Sequence, residues 1–329
     1  MRGGSSWECG LPTIARETLA VPAMAHEVAE GLLRTCKSLP PKLFYDEAGS
    51  ALFEQITELP EYYVTRTEMG ILRKFSHEIA HAVAPVAAAI ELGAGTSTKT
   101  KLLLSAILGS QPALTFFPVD ISAAPLRMGQ AALQCEFPQL HVVPVVTDFL
   151  QNLSFLAGSS PRRLVFYLGS SIGNFEPLQA VSLLCRLRRR LAPGDLLLVG
   201  FDMRKDPEIL HAAYDDAQRV TAAFNKNVLA RINRELGGHF DLEAFRHVAL
   251  WNDHESRIEM HLQAGTRQAV RIDQLGISVE FERGETIHTE NSYKYSDAMI
   301  AGLLRNSGFS LVRTWKDDRG WFSETLARV

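Results

Sequence analysis

Cysteine is scarce. The 329 residues hold four, Cys9, Cys36, Cys135 and Cys185, none spaced as a C-x-x-C pair and none beside a histidine cluster. Such spacing excludes a thiolate zinc module and gives no disulfide framework, so reduced thiols in a cytoplasmic protein are expected, with no metal site. Long apolar runs are missing too. Nothing approaches the ~18 apolar residues of a membrane span, and the opening MRGGSSWECGLP lacks the apolar segment of a secretory leader. Nor is there an excess of charge. With 34 basic and 37 acidic side chains the formal net charge is -3, which builds no field favouring nucleic acid or an anionic membrane. The densest basic stretch, Arg186 to Arg190, reads as the solvated face of a helix. No repeat and no G-x-x-x-x-G-K-[ST] loop is present, which disfavours ATP chemistry. A monomer acting on a small molecule is the expectation.

What is present is the balance of a globular protein, 46% hydrophobic and 22% charged, with length for two domains. Residues 1–24 read as a poorly ordered arm. Helical patterning starts near Ala25 and stops at Pro40-Pro41. Short helices broken at Pro60 follow, with an aromatic patch of Tyr45, Phe53, Tyr62 and Tyr63. From Ala87 the pattern changes to short apolar runs separated by helix-length gaps: AAAIEL, LTFFPVD, LHVVPVVTD, RLVFYLGSS and DLLLVGFD. Continuous apolar strands alternating with helices predict an α/β fold, a parallel sheet of at least five strands covered on both faces.

Between Pro207 and Tyr293 that rhythm breaks. One long helical pattern, DDAQRVTAAFNKNVLARINREL, precedes the alternating segments RIEMHLQA, QAVRID and ISVEFERGE, whose period of two suits antiparallel strands. We read this stretch as an inserted α+β module. The C-terminus returns to core patterning: a helix from Ser296 to Asn306, then SLVRTWKD, a turn at Asp318-Arg319-Gly320, and WFSETLARV. A terminal antiparallel hairpin beside a parallel sheet resembles the Rossmann-like core of class I methyltransferases and not a dinucleotide dehydrogenase. The expected division is a core of 68–204 plus 294–329 and a substrate-binding domain of 25–67 plus 205–293.

Three pieces at successive strand ends suggest a nucleoside site. Gly93 and Gly95 in ELGAGTSTKT allow a sharp turn and a close backbone approach, but the third glycine of the dinucleotide fingerprint is missing. Asp120 ends the next strand, where a carboxylate can take both ribose hydroxyls or instead cap the helix that follows. Asp148-Phe149 ends the third, with an acid for an adenine amine and a ring to pack on the base. Their spacing of 27 and 28 residues favours an adenosyl cofactor without a pyrophosphate.

The runs LPPKLFYDEAGSALFEQITELPEYYVTRTE, ELGAGTSTKT, YLGSSIGNF, AYDDAQRVTAAFNKNVLARINREL, SRIEMHL and TENSYKYS resemble the bacterial histidine Nα-methyltransferases, which make hercynine in ergothioneine biosynthesis. The likeness extends from Leu39 to the C-terminus. It implies S-adenosylmethionine as cofactor, held at Gly93, Lys99, Asp120, Asp148 and Phe149. It also implies histidine held at Tyr62, Asn174, Tyr214, Glu290, Asn291 and Ser292, with Phe53 and Met260 lining the pocket.

Those residue types suit the task. Asn174 offers an acceptor to an amine and a donor to a carboxylate, and Tyr214 a phenol for the same carboxylate. Glu290 and Ser292 lie two apart on an expected strand, so they share a face and could hold both nitrogens of an imidazole. Asn174 and Tyr214 are the expected catalytic pair, with Tyr214 or water taking the amine's proton. Alternatives at this stage are another amino acid such as tryptophan, a dehydrogenase, or a non-catalytic adenosyl-binding regulator.

Overall fold

The computed structural model describes residues 21–157 and 162–329. Most of the expected arm, 1–24, lies outside the described residues, and Cys9 with it. Helix α1 (Val21–Leu32) opens the described chain and stops well short of Pro40. The reason is a competing partner: His288 donates its backbone N–H to the Lys37 carbonyl at 2.9 Å, and Leu39 donates to the His288 carbonyl at 2.9 Å. Helix α2 (Glu47–Glu58) is capped by Asp46, which accepts from the Gly49 N–H at 2.7 Å. Pro60 falls in the break before α3 (Tyr63–Val83), whose apolar face buries Val64, Ile71, Leu72, Ile79 and Val83. α3 crosses the expected boundary at 67/68 without a break.

The core then alternates as expected: β1 (Ala88–Leu92), α4 (Thr100–Leu108), β2 (Leu114–Asp120), α5 (Ala123–Glu136), β3 (Leu140–Val142), β4 (Val145–Val146), β5 (Arg163–Tyr167), α6 (Pro177–Arg188) and β6 (Leu196–Asp202). Pro144, which has no N–H for a ladder, falls between β3 and β4 and divides the single expected strand. Every residue of β1, β5 and β6 is buried, as central strands covered on both faces must be. The chain closes with α9 (Asp297–Asn306) and the hairpin of β12 (Ser310–Lys316) and β13 (Phe322–Arg328). Sheet order is β12-β13-β6-β5-β1-β2-β3, with β4 beside β2, and β13 runs antiparallel to β6. Strand order turns about β1, so a crevice opens above the carboxyl ends of β1, β2 and β5.

The insertion holds α7 (Pro207–Tyr214), α8 (Val220–Leu236), β7 (Phe245–Asn252), β8 (Arg257–Ala264), β9 (Gln268–Ile272), β10 (Ile277–Phe281) and β11 (Thr286–Tyr293). β8 and β11 pair antiparallel with β7 beyond, and β9-β10 is a separate hairpin. Burial alternates strictly along β8, confirming the period of two. The long helical pattern begins later than expected. Asp216 accepts from the Val220 and Thr221 N–H groups at 2.9 and 2.8 Å and so starts α8.

In the basic run Arg189 and Arg190 are exposed as expected, while the half-buried Arg186 donates to the Leu150 carbonyl and Arg188 to the Gly308 carbonyl at 3.1 Å. One apolar cluster joins the α3–α4 face of the sheet to the insertion through Phe166, Phe224 and Phe245. A second lies under α6 and α9. Among the described residues no helix is long and apolar enough to cross a membrane.

Candidate active site

A cleft of about 2300 Å³ runs from the carboxyl ends of the parallel strands to α2, α7, β8 and β11. Its sheet side begins at Gly93 and Gly95, with φ of 69° and 53°. L side chains rarely adopt that conformation, whereas glycine does so without strain. A Cβ built on either glycine would meet no atom within 4 Å, so the space beyond them is open. Gly95 donates its N–H to Asp120 Oδ2 at 2.9 Å, and the Ser122 N–H reaches Oδ1 at 2.9 Å. Asp120 therefore ties the glycine turn to the start of α5 while still lining the cleft. Burial pushes its carboxyl above the ordinary range.

Asp148 Oδ1 accepts from the Leu150 N–H at 2.8 Å, while Oδ2 is buried with no hydrogen-bond partner. The nearest cation to that oxygen is Lys42 Nζ, at 3.6 Å. Phe149 meets Tyr167 edge-on with ring centroids 5.8 Å apart. An unpaired acceptor next to an aromatic ring fits an adenine amine and base. Lys99 is paired with Glu68 of α3, and Glu68 also accepts from the Gly169 N–H after β5. Behind it, burial and the neighbouring Glu68 hold the Glu324 carboxyl well above its usual range. Glu91, at the end of β1, is pushed up to about 7 by burial and accepts from the Thr100 hydroxyl.

The opposite side is aromatic. Phe53 of α2 meets Tyr45 and Tyr62 edge-on, with centroids 5.7 and 6.3 Å away, and Tyr62 meets Tyr214 at 6.5 Å. Glu290 projects among them from β11. Burial pushes its carboxyl up to about 7, against the pull of Lys294 and a hydrogen bond from Asn174. Met260 is its register partner on β8. Asn174 ends a 3-10 turn, Ser171–Asn174, that lies against β11. Gly173 permits the approach, since a Cβ there would sit 2.8 Å from the Tyr293 carbonyl oxygen. Burial holds the Tyr214 phenol well above its ordinary value, so it keeps its proton at neutral pH.

Phe53, Tyr62, Gly93, Lys99, Asp120, Asp148, Phe149, Asn174, Tyr214, Met260, Glu290 and Asn291 all line this one cleft. Ser292 is not among the lining residues. Its hydroxyl sits 2.6 Å from that of Tyr214, behind the cleft wall. Asn291 lines the wall but donates its amide to Glu176 at 2.9 Å.

Sequence reasoning placed Tyr45 in the aromatic patch without a site role and gave none to Glu68, Glu91 or Lys294. Lys294 had a usable signal, as the next residue on the strand face of Glu290 and Ser292. The group Glu259, His261 and His288 brings metal-ligand types together, but the two imidazoles are stacked at 26° with centroids 4.8 Å apart. Their ring planes do not converge on one point, and the Arg257 guanidinium already donates to Glu259 at 2.8 Å.

A crevice over a parallel sheet, a reversed last strand and an aromatic-walled pocket opposite fit a class I S-adenosylmethionine-dependent methyltransferase. Comparison with known proteins narrows the class. The family model described as "Histidine-specific methyltransferase, SAM-dependent" matches residues 24–329, and the chain belongs to that family. It is 47% identical over 308 residues to the histidine N-alpha-methyltransferase of Mycolicibacterium smegmatis, covering 94% of this chain and 95% of that protein. The enzyme of the same name from Mycobacterium tuberculosis is 45% identical over 305 residues, covering 93% and 94%. Ergothioneine biosynthesis protein 1 of Schizosaccharomyces pombe is 33% identical over 300 residues, covering 88% of this chain and 38% of that longer protein.

Proposed function

We propose that this protein transfers methyl groups from S-adenosylmethionine to the α-amino nitrogen of L-histidine, three times in succession, to give hercynine for ergothioneine biosynthesis. The observation that carries the substrate is Glu290: a half-buried carboxyl pushed up to about 7, facing an aromatic-walled pocket beside Asn174 and Tyr214. An imidazole N–H is the kind of donor such an acceptor lacks. The cofactor supplies a methyl already activated on a sulfonium.

The chain's own residues bind and align. Gly93, Asp120, Asp148 and Phe149 fit the nucleoside, and Lys99 is fixed by Glu68 at the edge of the same turn. Asn174, on the last turn before α6, reaches Glu290 and so lies between the two halves of the cleft. Holding amine and methyl in line is itself rate-enhancing, because it converts an encounter into a near-attack geometry. Tyr214 keeps its proton, so it donates to the substrate carboxylate and does not receive the amine's proton; solvent at the open end of the cleft takes that proton. Each residue on the substrate side except Asn174 comes from 25–67 or 205–293, and each on the cofactor side from 68–204, which supports two modules meeting at the cleft. Free Cys36, Cys135 and Cys185 support a cytoplasmic location.

The test is incubation with labelled cofactor and each amino acid separately, followed by mass analysis. Histidine gaining three methyl groups is expected. Tryptophan or another amino acid labelled in its place overturns the substrate, and a product stopping at one methyl overturns the count.

A further inference from the structure

The cleft wall behind Tyr214 is a closed hydrogen-bond network that none of the binding roles above requires. At its centre is Lys294, one residue past β11 and fully buried. Its Nζ lies 2.8 Å from Asp202 Oδ2, 2.9 Å from the Tyr214 hydroxyl and 2.7 Å from the Ser292 hydroxyl. An ammonium has three N–H donors and no acceptor, so all three are used. Asp202, at the end of β6, also takes the Tyr63 hydroxyl at 2.8 Å and the Lys205 ammonium.

These contacts decide the direction of the remaining protons. Both the Tyr214 and Ser292 oxygens accept from Lys294, and only one proton can lie in the 2.6 Å between them. Ser292 is buried, and among the described residues its hydroxyl touches only Tyr214 and Lys294. Were Tyr214 to donate to Ser292, the serine proton would be a buried donor without an acceptor, a larger loss than one ordinary hydrogen bond. Tyr214, by contrast, opens on the cleft. The consistent arrangement has Ser292 donating to Tyr214 and Tyr214 donating outward, with both phenol lone pairs occupied from behind.

We propose that Lys294 is a positioning residue that makes Tyr214 a donor only, so that this wall of the cleft accepts a free α-carboxylate, rejects an ammonium, and holds a neutral amide carbonyl less tightly because it lacks the charge. Two ammoniums on the single Asp202 carboxylate favour an anion at the same wall. The inference rests on the functional reading above and adds how that site selects free amino acids. Ser292 accordingly acts through Tyr214 and does not touch the imidazole.

The test uses the full chain. Lys294→Met keeps much of the side-chain volume and removes every donor. Calorimetry is expected to show histidine binding weakened about 10- to 100-fold, the loss of a charge-assisted bond, with cofactor binding changed less than about twofold. The kcat/KM preference for histidine over its carboxamide should shrink by about tenfold, mainly through KM. Unchanged affinity and unchanged preference in the folded variant overturn the proposal.

Because Asp202 would lose a partner, Lys294→Met is paired with a cycle that keeps the ion pair: Ser292→Ala, Tyr214→Phe and both together. Ser292→Ala should weaken histidine about three- to tenfold alone and have no effect beyond twofold once Tyr214 is phenylalanine. Equal effects in both backgrounds refute the relay. Wild-type turnover of histidine is measured first. Its absence removes the functional reading, whereas normal turnover with additive variants removes only the role given to Lys294.

Discussion

Replacing Glu290 by glutamine keeps the side chain's size and removes a charge that burial disfavours. Tyr45, Tyr62 and Tyr214 crowd the carboxyl, Asn174 donates to it, and Lys294 is the cation that moderates it. Its displacement from 4.5 to about 7 corresponds to about 3 kcal/mol against the ionised form in the fold. An acid whose folded value is raised holds its proton more tightly when folded than when unfolded. Stability from this group is therefore full below about 4.5, declines as pH rises towards 7, and stays lost above.

The glutamine variant has no such decline. In urea denaturation of the ligand-free protein it should exceed wild type by less than about 1 kcal/mol at pH 5 and by up to about 3 kcal/mol at pH 8. Glu91 tilts the wild-type curve the same way, so the difference between variant and wild type is the quantity to read. Histidine binding should move oppositely, weakening by about 1.5–3 kcal/mol as a charged acceptor is lost, with cofactor affinity kept. A variant no more stable at pH 8 than at pH 5, relative to wild type, would refute the burial argument. Equal loss of both ligands would refute the placement of the imidazole.

Asp148→Ala removes the buried acceptor that has no partner in the ligand-free cleft. Cofactor titration should show about tenfold weaker binding or more, with unfolding free energy lowered by about 1 kcal/mol because the Leu150 N–H loses its acceptor. Gly93→Ala puts a Cβ on a residue at φ 69°, so thermal melts should show a loss of about 1–2 kcal/mol, with cofactor binding reduced as the turn shifts. Glu324→Gln replaces an acid whose ionised form burial disfavours by a neutral amide of equal size. Melting should change by less than about 1 kcal/mol, whereas Glu68→Gln, which breaks the pair with Lys99, should weaken cofactor binding in the same titration.

Much of the architecture was legible because each signal was local. Runs such as AAAIEL and DLLLVGFD became strands buried along their whole length, as continuous apolar segments do in a parallel sheet. The terminal hairpin and the alternation of RIEMHLQA were read for equally local reasons. Errors arose wherever a distant partner competed with a local preference. α1 ends early because Lys37 and Leu39 pair with His288, a strand that periodicity alone does not bring near. α7 and β7 went unread since one is short and the other leans on β8 for its identity.

By itself the sequence determined the fold class, the glycine turn after β1, the family, and twelve residues that do line one cleft. Spacing, residue type and motif are properties of short segments, and they survive whatever the rest of the chain does. Only the tertiary structure decided what Ser292, Lys294, Asp202 and Glu68 do. Their work lies in which donor meets which acceptor in the interior, and that depends on segments far apart in the chain packing against one another.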